Sequence, residues 1–315
     1  MSDLIDISKK LLVDCLGAKP GEKFLVLTDD YKEKLAEHLY KAGQELGMIS
    51  MLFKIPALAK SGEEPPEAAA EAMKNSNVVI CITQHSLTHT RAKKEAAACG
   101  ARIATMPGIT EDMFLKGAIT ADYNQVEKLT KKVAEILTLG SIVAIEKGGY
   151  RLEMSIEGRK GIESTGMYLE KGQSGNLPSG EAYIAPVEGS ACGDILVDGS
   201  IVGIGRLKAP ILLEIRKGLL TEARGEGAGE WLEILGSSDA ARNVAEFGIG
   251  TNPNAILCGN ILEDEKILGT IHVAFGSNNT FGGKISAGIH LDAVVLEPTV
   301  FVDGRLIMDK GRLMV

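Results

Sequence analysis

The chain has 315 residues, of which 45% are hydrophobic and 24% charged. That balance excludes disorder, because chains stay unfolded when they have too little apolar surface to bury. Lys and Arg total 34 against 42 Asp and Glu, a net charge of −8, and generic nucleic-acid binding needs the opposite, a concentrated cationic surface.

At roughly 150 residues per domain the length implies two domains. No apolar run reaches the roughly 18 residues of a membrane span, and the first residues, Met1-Ser-Asp-Leu-Ile-Asp6, are acidic. Neither a span nor a secretory signal is expected, and the expected location is cytoplasmic. Five cysteines, Cys15, Cys81, Cys99, Cys192 and Cys258, are odd in number and have no CxxC spacing, so they read as buried free thiols.

Asp3 to Cys15 carries Leu4, Ile5, Ile7, Leu11 and Leu12 at helical spacing and is stopped by Gly17-Ala-Lys-Pro-Gly21. Lys23 to Thr28 reads as a buried strand, Tyr31 to Leu46 as an amphipathic helix, and Ile49 to Ile55 as the next strand. The alternation continues with a helix over Pro65–Met73, a strand over Val78–Thr83, a helix over Thr90–Ala98 and a strand over Arg102–Thr105. Helices over Glu111–Lys116 and Tyr123–Leu137 close this half. Strands apolar throughout and separated by helices imply a parallel sheet covered on both faces. Residues 1–139 are therefore expected to form a doubly wound α/β domain.

Beyond Leu139-Gly140 the texture changes to short strands, at Ser141–Ile145, Tyr150–Ile156 and Asp194–Gly203, with dense glycine. Asp198-Gly199 and Asp303-Gly304 each read as a tight hairpin turn. Short helices are expected over Glu230–Leu235, with Trp231 in the core, and over Ser238–Val244. Residues 140–315 are thus expected to form an α+β domain with antiparallel sheet. Gly225-Glu-Gly-Ala-Gly229 lacks the Gly-Lys-Ser/Thr ending of a phosphate loop, and no G-x-S-x-G elbow marks a catalytic serine.

Histidine is scarce, with five in the chain. His290 and Asp292 lie two apart in a strand pattern and so project from one face, a compact pair of metal ligands. On its own the pair reads better as a buried hydrogen bond that serves only packing. His272 in a second strand pattern, Glu246 before Gly248-Ile-Gly250, and Glu181 between turn residues and an apolar run share its surroundings. Charged groups so placed are costly unless paired or bound to metal. Together the five suggest a carboxylate-rich site for zinc, cobalt, manganese or iron(II). His85-Ser-Leu-Thr-His89 and Arg91 follow a strand at the carboxyl end of the parallel sheet, where α/β domains bind ligands. They read as substrate contacts, against the plainer reading that the loop caps the next helix.

Asn176-Leu-Pro-Ser-Gly-Glu-Ala-Tyr-Ile-Ala-Pro186 resembles the N-x-P-T-E-E-V-F-T-x-P segment of the thermophilic metallo-aminopeptidases of the aminopeptidase T and S type. The Ala245-Glu-Phe-Gly-Ile-Gly250, Glu-Asp-Glu…His-x-Ala-Phe-Gly and His-x-Asp segments follow in the same order. The resemblance implies that Glu181, Glu246, His272, His290 and Asp292 are metal ligands for one or two divalent ions of Zn, Co or Mn, with Glu246 the carboxylate expected to bridge where two are bound. The family has a further acidic residue before the first histidine, to which Glu265 is nearest, and Glu265 is the candidate for the free general base that a metal-activated water requires; Asn279 stands where the family has its catalytic tyrosine. Gly180 replaces the first glutamate of the motif. The leading expectation is a metal-activated water removing N-terminal residues from small peptides, in an enzyme that is a homodimer without nucleic-acid or membrane partners. The alternative, from the related 2,5-dihydroxypyridine dioxygenase branch, is ring cleavage at a single iron(II), with the full carboxylate set and Glu246 counting against it. A non-catalytic metal-binding homolog is a third reading.

Overall fold

The computed structural model describes residues 2–315. The chain forms two compact units, one comprising the residues up to Tyr123 together with Gly166–Ser179, the other Asn124–Thr165 together with Gly180–Val315. No helix among the described residues is long and apolar enough to cross a membrane.

The first unit holds a parallel sheet of five strands in the order Ile49–Lys54, Lys23–Thr28, Val78–Ile82, Arg102–Thr105, Ser174–Asn176. Its central strands are buried from end to end, which is why they read as unbroken apolar runs. Helices Glu33–Glu45, Glu67–Lys74 and Arg91–Ala98 connect them, each burying one apolar stripe, such as Leu35, Ala36 and Leu39 in the first. The opening helix, Ser2–Lys10, continues as a π-helical turn over Leu11–Cys15.

The fifth strand, Ser-Gly-Asn, lacks β-branched or aromatic residues and gives no sequence signal for a strand. It comes from beyond residue 139, and it takes Gly166–Ser179 into the first unit. The helix Tyr123–Leu139, in contrast, buries Val133, Ala134 and Leu137 in the core of the second unit. The expected cut at 139/140 is therefore replaced by a discontinuous division.

The second unit holds two antiparallel sheets, of eight and seven strands among the described residues. Their facing sides share one apolar core. It takes Val143, Ile145, Leu152 and Ile195 from the larger sheet and Ala182, Ile184, Phe247, Ile249, Ile271, Val273, Phe275, Ala293 and Val295 from the smaller. Asp303-Gly304 makes the expected hairpin between Thr299–Val302 and Arg305–Asp309, with φ of 50° and 78° at the two turn residues. Asp198-Gly199 does not. Cys192–Val197 pairs within the larger sheet and Ser200–Ile201 within the smaller, so this dipeptide carries the chain from one sheet to the other. The expected helix over Ser238–Val244 is confined to Asp239–Arg242, capped by Ser238 Oγ, because Val244 already begins the next strand.

Of the cysteines, Cys15 and Cys81 are buried, whereas Cys99, Cys192 and Cys258 are exposed, contrary to the expectation for all five.

Helix Ala228–Leu235 delivers Trp231 to the core, fully buried and edge-on to Phe275 at 5.6 Å between ring centroids. Trp231→Ala is expected to lower stability by about 3–5 kcal/mol, the cost of truncating a buried large aromatic. Urea unfolding followed by circular dichroism checks this, and a change below about 1 kcal/mol would contradict the packing described.

Candidate metal centre

The smaller sheet of the second unit carries the polar cluster on the face turned away from the core. Strand alternation puts it there. In Ile271–Gly276 the residues Ile271, Val273 and Phe275 enter the core, so His272 and Ala274 face the other way. In His290–Val295 the core takes Leu291, Ala293 and Val295, leaving His290 and Asp292 on the polar face. In Glu181–Ile184 it takes Ala182 and Ile184, leaving Glu181.

Strand Val244–Gly250 needs one more device. Val244, Phe247 and Ile249 all belong to the core, which simple alternation cannot achieve. A register shift between Val244 and Glu246, where the strand pairs with Ile271–Gly276, changes the phase and turns Glu246 to the polar face. Bulges that re-aim a side chain beside a functional site are a recurrent use of this irregularity.

Register then aligns the groups. Glu246 lies opposite Ala274, and Ala274 opposite Asp292, so the two carboxylates flank a small residue across three strands. Gly248 lies opposite His272, and Gly250 opposite Glu181. A Cβ at Gly248 would fall on the His272 ring, at Nε2. The glycine is required by space, since its backbone is not in the left-handed region.

Five groups expected from the sequence converge. His272 Nε2 lies 3.2 Å from Glu246 Oε1 and 3.3 Å from Glu181 Oε2. His290 Nε2 lies 3.4 Å from Glu246 Oε2 and 3.6 Å from Asp292 Oδ1. His290 Nδ1–H donates to the Ser277 carbonyl oxygen at 2.8 Å. That bond fixes the ring and directs Nε2 into the cluster, the usual support of a metal-binding imidazole.

The groups fit a cation. Glu181 Oε2, facing His272 Nε2, is buried without a hydrogen-bond partner. Ligand atoms of Glu246, His272 and Asp292 lie within 4.8 Å of one another, as do those of Glu181, Glu265 and His272.

The charges point the same way. Burial works against ionisation of Glu246, yet His272 and His290 outweigh it and hold the carboxyl down at about 2. Burial likewise works against protonation of His272, but Glu246 and Glu181 raise it to about 9. His290 is raised well above its ordinary value, against the effect of burial, by Asp292 and Glu246. Without metal, protons on the imidazoles meet the demand for positive charge that a metal ion would otherwise meet.

Other expected residues lie differently. Glu265 is ion-paired with Lys266, and burial, then the Glu181 charge, raises its carboxyl to about 8. Tied to the Lys266 ammonium, it is not the free base expected. Asn279 is exposed on the loop between Gly276 and His290, where its backbone N–H donates to Ile285 O at 3.2 Å. The buried amide of this loop is its neighbour Asn278, whose Oδ1 accepts from Ile285 N.

His85, His89 and Arg91 belong to the first unit, apart from the unit that holds the cluster. Thr90 between them caps helix Arg91–Ala98 by accepting from Lys93 N, as the plainer reading anticipated.

Sequence reasoning passed over three participants. Lys266 is fully buried and donates to Glu181 Oε1 at 2.6 Å. Phe281 stands edge-on to His290 at 5.8 Å and to Tyr183 at 5.4 Å. Gly248 opens the space for His272. The signal for Lys266 was present, since it adjoins the Glu-Asp-Glu run, but an isolated lysine reads as solvated.

A family model described as NicX, 2,5-dihydroxypyridine 5,6-dioxygenase, matches residues 3–315. A comparison with curated protein sequences finds no match. Among solved structures, 2,5-dihydroxypyridine dioxygenase from Pseudomonas putida KT2440 is similar, with a TM-score of 0.83 at 18% identity, covering 100% of this chain and 97% of that one. AmpT from Thermus thermophilus is similar with a TM-score of 0.74 at 17% identity, covering 100% and 99%. Both share the mixed α/β fold, with its parallel and antiparallel sheets.

Gly248→Ala is expected to displace the His272 ring and weaken binding of Mn(II) at least about tenfold, while far-ultraviolet circular dichroism is retained. Calorimetric titration checks it, and unchanged affinity would contradict the placement of His272 Nε2 in the cluster.

Proposed function

The chain belongs to the 2,5-dihydroxypyridine 5,6-dioxygenase family, and from that premise we propose that it is a metal-dependent ring-cleaving dioxygenase acting on a dihydroxypyridine-like ring. The observation that carries this reading is the meeting of His272, His290 and Asp292, with Glu246, on one polar face of a sheet. Two imidazoles and a carboxylate with open positions suit non-haem iron(II). This reverses the order of the two readings drawn from the sequence. Glu246, counted there against the dioxygenase, lies 3.2 Å from His272 Nε2 and 3.4 Å from His290 Nε2, and these two imidazoles explain its burial without a second ion. Glu265 and Asn279, which peptide hydrolysis would call on, are respectively ion-paired and exposed.

Bound by these groups, iron(II) would supply the one-electron chemistry that lets dioxygen react with an electron-rich ring. The residues of the chain do the rest. Ser277 O fixes the His290 tautomer, so Nε2 keeps its lone pair for the ion. The two oxygens of Glu246 face the two imidazoles, one each. Phe281, half-buried beside His290 and Tyr183, offers an aromatic edge against which a flat ring can rest. Burial of Glu181, Glu246 and Asp292 keeps bulk water from the reacting face.

With iron(II) supplied anaerobically, the protein is expected to consume one dioxygen per 2,5-dihydroxypyridine, with loss of the aromatic absorbance. His290→Ala is expected to release the ion and lower turnover by more than about 100-fold, beyond the loss seen for outer-shell changes. An oxygen electrode with parallel absorbance checks both. Hydrolysis of aminoacyl amides without oxygen uptake would overturn the reading in favour of the peptidase.

A further inference from the structure

The cluster has two places where a cation fits, and they are not equivalent. Glu246, His272 and Asp292 form one group; Glu181, Glu265 and His272 form the other. The two share His272, whose Nε2 offers one lone pair and so serves one ion at a time.

The second place already holds a positive charge. Lys266 is 0% exposed, and its Nζ donates to Glu181 Oε1 at 2.6 Å and to Glu265 Oε1. A buried ammonium is tolerated where carboxylates compensate its lost hydration, and here two of them do. The backbone beneath it is held independently. Lys266 N–H donates to Glu263 O at 3.0 Å, and Lys266 O accepts from Asn252 N at 2.8 Å. Gly250 lies so close to the backbone that follows Lys266 that a Cβ there would overlap the Ile267 carbonyl. These contacts fix the root of the side chain beside the two carboxylates that its ammonium binds. Glu181 is divided between the two places: Oε1 is taken by Lys266, while Oε2, buried without a hydrogen-bond partner, faces His272.

We infer that Lys266 stands in for a second metal ion, its ammonium occupying the Glu181–Glu265 position and limiting the centre to one divalent cation. The inference rests on the metal reading above and adds what sets its stoichiometry. A dication entering the Glu181–Glu265 position would meet the ammonium inside a low-dielectric pocket, where like charges repel strongly. With the ammonium removed, the Glu181 and Glu265 carboxylates would remain there beside the ion held by His272, oxygen donors that suit a second divalent ion such as Mn(II).

The test uses the full chain, stripped with chelator and titrated with Mn(II). Bound ion is counted by elemental analysis, and its coupling is read by electron paramagnetic resonance. Wild type is expected to bind one Mn(II) per chain with an uncoupled signal. Lys266→Ala is expected to bind two, with a spin-coupled signal, and Lys266→Arg to remain at one. Lys266→Ser serves the same purpose should the alanine variant fail to fold, folding being checked by circular dichroism. Two ions in wild type, or one in folded Lys266→Ala or Lys266→Ser, would overturn the inference while leaving the metal reading intact. No ion in wild type would defeat the metal reading itself.

Discussion

The site depends on a strand's period of two, imposed on a sheet with one dry face. In the second unit the smaller sheet must give Phe247, Ile249, Ile271, Val273 and Phe275 to the shared core. Once those side chains are committed, the alternate positions can only face the other way. His272 and Asp292 are therefore aimed by the burial of their neighbours, and a slip of one residue in any of these strands would bury the charges and expose the apolar set. The bulge before Glu246 is the local exception that completes the arrangement. The hydrophobic effect thus positions the chemistry, and the small residues Ala274, Gly248 and Gly250 leave it room.

The buried carboxylates of Glu181, Glu246 and Asp292, with half-buried Glu265 beside them, would repel one another in a medium of low dielectric. Their charge is met in two ways. Lys266 neutralises part of it permanently at Glu181 and Glu265. His272 and His290 meet the remainder, either as protonated rings or as neutral ligands of a metal ion. On the single-ion proposal, this asymmetry would set the centre apart from that of a two-metal hydrolase. A fixed ammonium is a counter-charge that polarises no water, whereas a dication in its place would lower the pKa of bound water.

Much of this was legible in the sequence. His290 and Asp292 were read from i, i+2 spacing, and the parallel sheet from apolar runs between helices, because both signals are local. The boundary at 139/140 was misplaced because two long-range events decide it. Ser174–Asn176 pairs with Arg102–Thr105, and helix Tyr123–Leu139 packs in the second unit. The crossing at Asp198-Gly199 reads as a hairpin from its dipeptide, since turn chemistry says nothing about which sheet the next strand joins. Lys266 escaped notice because a lysine's burial is a tertiary fact. With it went the argument for a single ion, which is why peptide hydrolysis headed the reading of the sequence. The carboxylates that converge were read from the sequence, but the Lys266 ammonium among them was not.

The central claim is that one divalent ion belongs against His272, His290 and Asp292. Crystals soaked in Mn(II), measured at the manganese absorption edge, test it most directly. The account predicts one anomalous peak per chain, within about 2.0–2.4 Å of His272 Nε2, His290 Nε2 and an Asp292 oxygen. A peak lodged instead between Glu181 and Glu265, or density confined to surface carboxylates, would contradict it.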